Sequence, residues 1–252
     1  MAERIKNQAV SKSALDFQKL ILGSESLGLT LSNRQLAQFR SYFEELEVWN
    51  QRVNLTSVKG LEKVQVRHFL DSLTLVLASK FGLSKSDRLL DLGSGAGFPS
   101  LPLKVVWPGL QLTLIESREK KTAFLQHVCA VLKLKNVEVE TARAEESAHT
   151  LFREVFDTVV TRGVASMSTL AELTLPFCRI GGTAIAMKHV GVDNELAMAK
   201  PAISLMGGEL QTVLPVTVEE LGRDRTLVVI KKVNPTPEKY PRRPGVPAKR
   251  PL

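Results

Sequence analysis

The 252-residue sequence predicts an α/β protein: a mostly parallel sheet with crossover helices, preceded by a helical N-terminal region. Three observations carry that prediction. From Asp87 onward, short β-type runs alternate with segments of helical spacing, which argues for βαβ units. One join, LLDLGSGAGFP at Leu89–Pro99, sets three glycines between a strand and a helix. Before Asp87 there is no strand alternation.

Residues 1–86 read as helical. Ser32, with Gln35 three residues on, has the spacing of a capping box. Leu36, Phe39, Phe43, Leu46 and Val53 then form one apolar stripe. A second amphipathic segment sets Val66, Leu70, Leu73 and Leu77 on one face, with His68, Asp71 and Ser72 between those rows. Residues 87–233 read as the α/β core. RLLDL, QLTLIE, NVEVETA, FDTVVTR and GTAIAMK are its strands, and Arg118–Leu134 is a helix with Phe124, His127, Val128 and Val131 along one side. LQTVLPVTV and TLVVIKK have no helix between them and read as an antiparallel hairpin finishing the sheet. Residues 234–252 hold six prolines in 19, which excludes a helix or a central strand. That tail is expected to be extended, wrapping the surface or reaching a partner.

At 44% hydrophobic and 24% charged residues, the composition is that of a soluble globule rather than a disordered or fibrous chain. No apolar run reaches the roughly 18 residues a membrane span needs, and the first residues lack a secretion signal. Cys129 and Cys178 form no CxxC pair, and the four histidines have no metal-ligand spacing. A cytoplasmic protein without metal, membrane or obligate partner chain, a monomer, is the expectation. The net charge is +8. Seven cations against Glu238 alone place six of those charges in the last 22 residues. Such a basic segment suits phosphate-bearing partners, because binding releases counterions; a merely solvated tail is the alternative.

Gly93, Gly95 and Gly97 give G-x-G-x-G, with Phe98 where a dinucleotide fingerprint has its third glycine. No Gly-Lys-Ser/Thr follows, so a P-loop is excluded. Glu116, ending the second strand 23 residues past Gly93, is placed to accept both hydroxyls of a ribose. Ala144 and Glu145, after the third strand, suit the flat ring and exocyclic amine of adenine. An adenosine-containing cofactor follows, S-adenosylmethionine or a nicotinamide dinucleotide, against a tight turn with no ligand.

Five segments then appear in order: HFLDSL at His68–Leu73, LLDLGSGAGFP, TARAEE at Thr141–Glu146, VTRGVASM at Val160–Met167 and the terminal YPRRPGVPAKRPL. In these the chain resembles the bacterial 16S (small-subunit) ribosomal RNA guanine-N7 methyltransferases, also called glucose-inhibited division protein B, from about Ser32 to the end. The resemblance implies a Rossmann-like class I methyltransferase fold, S-adenosylmethionine as cofactor, and 16S rRNA or the small ribosomal subunit as partner. It implies Gly93, Gly95 and Phe98 at the methyl donor, and Glu116, Ser117 and Arg118 at its ribose. Ala144 and Glu145 fall at the adenine and Arg162 at the far end of the donor, an ion pair from Arg162 to Asp157 or Glu145 being the alternative. His68, Asp71, Lys188, Arg242 and Arg243 are candidates on the RNA side, a capping and packing role between the helical region and the core being the alternative for His68 and Asp71. Ser100, Gly163 and His189 depart from the family pattern and alter the expected pocket shape. No residue needs to act as a general base, since N7 of guanine carries a lone pair and no proton. The other readings are an RNA-binding assembly factor with a methyl-donor fold, non-catalytic or differently targeted.

Overall fold

The computed structural model describes residues 16–85, 87–163 and 165–252. Seven strands, β1 (Arg88–Leu92), β2 (Gln111–Glu116), β3 (Val137–Thr141), β4 (Phe156–Arg162), β5 (Cys178–His189), β6 (Gly208–Pro215) and β7 (Arg225–Lys232), form one sheet in the order β3-β2-β1-β4-β5-β7-β6. The first five run parallel. The chain turns outward in one direction from β1 to β3 and in the other from β4 to β5. The switch therefore falls between β1 and β4, and the carboxyl ends there open onto the crevice where such sheets bind ligands.

Alternation along each strand fills both faces. Leu89, Leu112, Leu114, Val160, Ile185 and Leu227 join one apolar cluster, while Leu90, Ile115, Val159, Ala184 and Val228 join the other. The first cluster also contains Phe17, Leu20, Phe39, Tyr42, Leu46 and Leu73, so the N-terminal helices share their core with the sheet. These helices are α1 (Gln18–Ser26), α2 (Asn33–Val53) and an irregular helix α3 over residues 61–81. Helices α4 (Ser100–Val106) and α5 (Glu119–Val131) cover the same face. The short α6 (Ala144–Ser147), then α7 (Met167–Thr174) and α8 (Asp193–Leu205), cover the other. The part of the expected helical region before Asp16 lies outside the described residues.

The capping box forms as its spacing predicts: Ser32 accepts from the Gln35 N–H while the Gln35 side chain accepts from the Ser32 N–H. The closing hairpin forms too, but with β7 inside, between β5 and β6. The apolar TLVVI run is buried on both faces, whereas β6 exposes Glu209, Leu210 and Gln211 and ends at Pro215, as an edge strand tolerates.

Two helix expectations are corrected. Helix α3 is not a one-sided stripe: every residue from His68 to Leu75 is buried, and Val66 and Leu77 are only half-buried. It lies against α1 and α4 and against the sheet end, and it changes pitch from an α turn at Leu61–Val64 to a π turn at Gln65–Leu70 and a 3-10 run at Thr74–Phe81. On α5, Val131 is exposed and the buried row is Phe124, Leu125, Val128 and Cys129.

The C-terminal segment wraps the second face. Arg153 donates to the carbonyls of Tyr240 (2.9 Å) and Thr236 (2.8 Å). The Gly245 N–H donates to Glu145 Oε1 at 2.9 Å. Arg242 grips Glu172 on α7 through two nitrogens, with Nη2 2.6 Å from Oε2. Contrary to the proline argument, one helical turn, α9 (Val246–Lys249), forms here. Pro247 falls in its first turn, where no N–H is needed. Because Glu172 is fully buried, removing its partner strands a charge. Arg242→Ala should lower unfolding free energy by about 3 kcal/mol in urea titration. Arg243→Ala, at an exposed neighbour, should change it by less than about 0.5 kcal/mol.

Candidate functional site

The glycine turn leaves β1 with all three glycines at positive φ: 75° at Gly93, 58° at Gly95 and 90° at Gly97. Two of them serve different ends. A Cβ at Gly97 would lie 2.4 Å from Leu101 Cδ1 and 2.6 Å from Tyr42 Oη, so packing alone demands glycine there. A Cβ at Gly95 would meet nothing closer than 3.9 Å. That surface is bare backbone facing open space, the form a close-approaching ligand requires.

Three groups hold the turn. Tyr42, from α2, donates its hydroxyl to the Ala96 carbonyl at 2.5 Å. Asp91, at 0% exposure, accepts the Ser100 N–H on Oδ2 at 3.1 Å, while its Oδ1 has no hydrogen-bond partner among the described residues. Glu116 crosses from the end of β2 to accept the Gly95 N–H on Oε2 (3.1 Å) and the Arg118 N–H on Oε1 (2.9 Å). Oε1 also accepts the Ser117 hydroxyl at 3.4 Å, so Oε2 is the oxygen that keeps a lone pair free for a hydroxyl. Burial raises the Asp91 carboxyl to about 6 and pushes the Tyr42 phenol well above its ordinary range.

Above the turn lies an aromatic and cationic stack. The Phe98 ring lies 4.5 Å from the His68 ring at 18° and 5.4 Å from Tyr42 at 16°. The Arg162 guanidinium sits over Phe98 at 5.2 Å. Arg162 pairs with Asp71 Oδ2 at 3.0 Å, rather than with Asp157 or Glu145. Asp157 instead takes Arg179 at 2.6 Å. The other Asp71 oxygen takes Arg225 from β7 at 3.1 Å, and Arg225 also donates to His189 Nδ1 at 2.7 Å. His68 Nε2 meets the Thr56 hydroxyl at 2.7 Å and Nδ1 the Arg67 carbonyl at 3.0 Å. One proton on Nδ1 satisfies both contacts, with Thr56 donating to Nε2, and leaves Arg162 Nη2, 3.3 Å from Nδ1, without an acceptor there. Burial, aided by the Arg162 charge, lowers His68 to about 4, so the ring is neutral.

The structure thus gathers Gly93, Gly95, Phe98, Glu116 and Arg162 around the crevice with His68 and Asp71. Ser117 and Arg118 follow Glu116 on the exposed rim. Ala144 is half-buried and Glu145 already carries the Gly245 N–H. Lys188 bonds Glu195 at 2.8 Å and the Ala165 carbonyl at 3.1 Å, and Arg242 is held by Glu172, so neither presents a free cation. Arg243 is exposed. Of the departing positions, Ser100 is buried beside Asp91, and Gly163, at φ 65°, faces open space. His189 is exposed and latches Arg225. Tyr42, Asp91 and Arg225 went unread in the sequence. Only Tyr42 left a signal, three residues after Phe39 on the α2 stripe.

An adenosine cofactor fits this donor set, through the open Gly95 backbone, the Glu116 carboxylate with a free lone pair on Oε2, and the switch-point crevice. Fold and site together define a class I S-adenosylmethionine-dependent methyltransferase. Solved structures similar in fold include TrmN from Thermus thermophilus, at TM-score 0.51 and 17% identity over 67% of this chain and 53% of that one. Another is M. jannaschii TYW2 in complex with AdoMet, at TM-score 0.50 and 15% identity over 65% and 77%. The family model for rRNA small subunit methyltransferase G matches residues 35–227. The ribosomal RNA small subunit methyltransferase G of Roseiflexus castenholzii is 50% identical over 93% of this chain and 99% of its own length. That of Dehalococcoides mccartyi is 46% identical over the same shares. This chain belongs to the rRNA small subunit methyltransferase G family.

His68 and Asp91 titrate in opposite senses. Between pH 4 and 6.5 an unfolded histidine binds a proton that native His68 refuses, so its contribution to stability falls as pH drops through that window. Native Asp91 instead holds a proton the unfolded chain releases between about 3.8 and 6, which opposes the trend. In wild type the two largely offset. The difference in unfolding free energy between wild type and His68→Gln should therefore grow by on the order of 3 kcal/mol from pH 4 to 6.5, read by denaturant titration at fixed salt. A difference independent of pH would show that His68 titrates normally.

Proposed function

We propose that this methyltransferase transfers a methyl group from S-adenosylmethionine to N7 of a guanine in 16S ribosomal RNA, acting in the cytoplasm as a monomer. The observation that carries the donor site is the Glu116 carboxylate bonded to the Gly95 N–H beside an open glycine surface. Glu116 would hold the ribose hydroxyls, with Ser117 and Arg118 on its rim. Gly93 and Gly95 would let the donor lie against the backbone, and Ala144 and Glu145 would border its adenine. Asp91 and Arg162 bound the opposite end. Bound there, the sulfonium cofactor supplies an electrophilic methyl group.

What the chain contributes is placement. N7 attacks through an in-plane lone pair, so no residue has to remove a proton. Among the buried groups of the site, His68 is neutral and hydrogen-bonded on both ring nitrogens, which suits a wall better than a base. Phe98, buried and braced by His68 and Tyr42, fixes the positions of the His68 ring and the Arg162 guanidinium at the crevice, and fixed approach is the main source of rate in such a transfer. Positive charge moves into the purine as the methyl arrives, and the acids Asp91 and Glu116 favour charge on this side of the crevice. Exposed Arg67, Arg118 and Lys120 and half-buried Lys121 flank the site, have no ion-pair partner among the described residues and can meet RNA phosphate here, with Arg243 further out. Asp71, Lys188 and Arg242 act by holding other groups in place.

Small ribosomal subunits lacking native modifications, incubated with the protein and tritiated S-adenosylmethionine, should carry label only in 7-methylguanosine of the 16S RNA. Label in another nucleoside would sink the N7 assignment. Glu116→Gln should weaken donor binding about tenfold to a hundredfold, measured by calorimetry with S-adenosylhomocysteine, without shifting the product nucleoside.

A further inference from the structure

At the opposite end of the sheet from the donor crevice, the start of α2, the end of α4 and the turn after α5 enclose a pocket of about 350 Å³. Among the described residues, four cations line it, Arg34, Lys104, Lys133 and Lys135, and no acid does. Arg34, Lys133 and Lys135 are exposed and have no ion-pair partner among the described residues. Lys104 forms the floor: it is buried, donating to the Pro108 carbonyl at 2.8 Å and to the Leu110 carbonyl, with no carboxylate against it. Gln35 and Gln38 donate to the carbonyls of Val105 (3.2 Å) and Leu132 (2.8 Å), which ties the three elements around the pocket. The pocket also faces the first turn of the 21-residue α2, where Asn33 and Arg34 have no intrahelical acceptor and the helix end is positive.

Cations gathered without an acid repel one another until an anion arrives. We propose that this pocket holds a backbone phosphate of the ribosomal RNA substrate, giving the enzyme a second foothold distant from the reacting base. Along α2 the ten residues from Ser32 to Tyr42 separate it from the glycine turn by about 15 Å, a span an RNA strand readily covers. The chemistry recognised is phosphate, which free inorganic phosphate shares. The proposal rests on the ribosomal RNA reading above.

The test is the full-length triple variant Arg34→Gln, Lys133→Gln, Lys135→Gln, assayed for methylation of small subunits across salt concentrations, with S-adenosylhomocysteine affinity as the check on folding. Donor affinity should stay at the wild-type value. KM for subunits should rise roughly tenfold, and the slope of log(kcat/KM) against log salt should become shallower by about one, the signature of one lost phosphate contact. The charge-keeping set Arg34→Lys, Lys133→Arg, Lys135→Arg should restore both. If wild type methylates subunits and the triple variant keeps its KM and slope, the foothold is overturned while the enzyme's function stands. If wild type fails to methylate, the function itself fails. Inorganic phosphate is titrated onto the free protein as a third arm. Saturable binding lost in the triple variant, with an unchanged subunit slope, would assign the pocket to a small anion and overturn the RNA foothold. Should the triple variant lose donor affinity, Lys135→Glu alone carries the same readouts.

Discussion

The carboxylate of Asp71 ties the molecule together. It is 3% exposed and receives one arginine from the end of β4 and another from the start of β7. A buried acid is tolerated only when its charge is matched and its oxygens are bonded, and two guanidinium groups do both. The consequence is mechanical. Helix α3 is pinned across the carboxyl ends of the sheet, and Arg162 is drawn over Phe98, against which His68 also stacks. The π turn at Gln65–Leu70 belongs to the same arrangement: a local change of pitch falls on the segment that must present His68 and Asp71 to the sheet.

The glycine turn shows the same division of labour on a smaller scale. Gly97 makes room for Tyr42 and Leu101, so the turn is locked to α2 and α4 from behind. Gly95 leaves its outer surface bare while its N–H is fixed by Glu116. A rigid back and an open front are what a preorganised ligand cradle needs, because ordering is completed on folding rather than on binding. Placement of this kind suits methyl transfer to an acceptor that carries its own lone pair.

The basic C-terminal segment is spent differently from what its charge suggests. Lys232 is buried among the carbonyls of Leu175 and Met206, the Thr236 hydroxyl and Glu154. Arg242 closes on Glu172. Two of the seven cations there therefore fasten the tail, Lys232 at the end of β7 and Arg242 to α7. The unpaired cations lining a pocket instead lie on α2 and after α5, far apart in sequence.

The strands, the capped α2, the glycine turn and the acid ending β2 are legible in the amino-acid sequence, because each rests on local chemistry: side-chain period, capping geometry, positive φ and residue spacing. The same sequence also carried the family through five ordered motifs. Folding alone set the pairings across long separations: Asp71 with Arg162 and Arg225, Tyr42 with the glycine turn, Arg242 with Glu172, and β7 inside β6. His68 and Asp71 could be picked out as polar residues in an apolar helix, but whether they faced RNA or the sheet depended on which cations folding would bring opposite them. Ion-pair partners leave no periodic trace along a chain. They are chosen by the cost of burying a charge unmatched, and that cost exists only once the elements have packed.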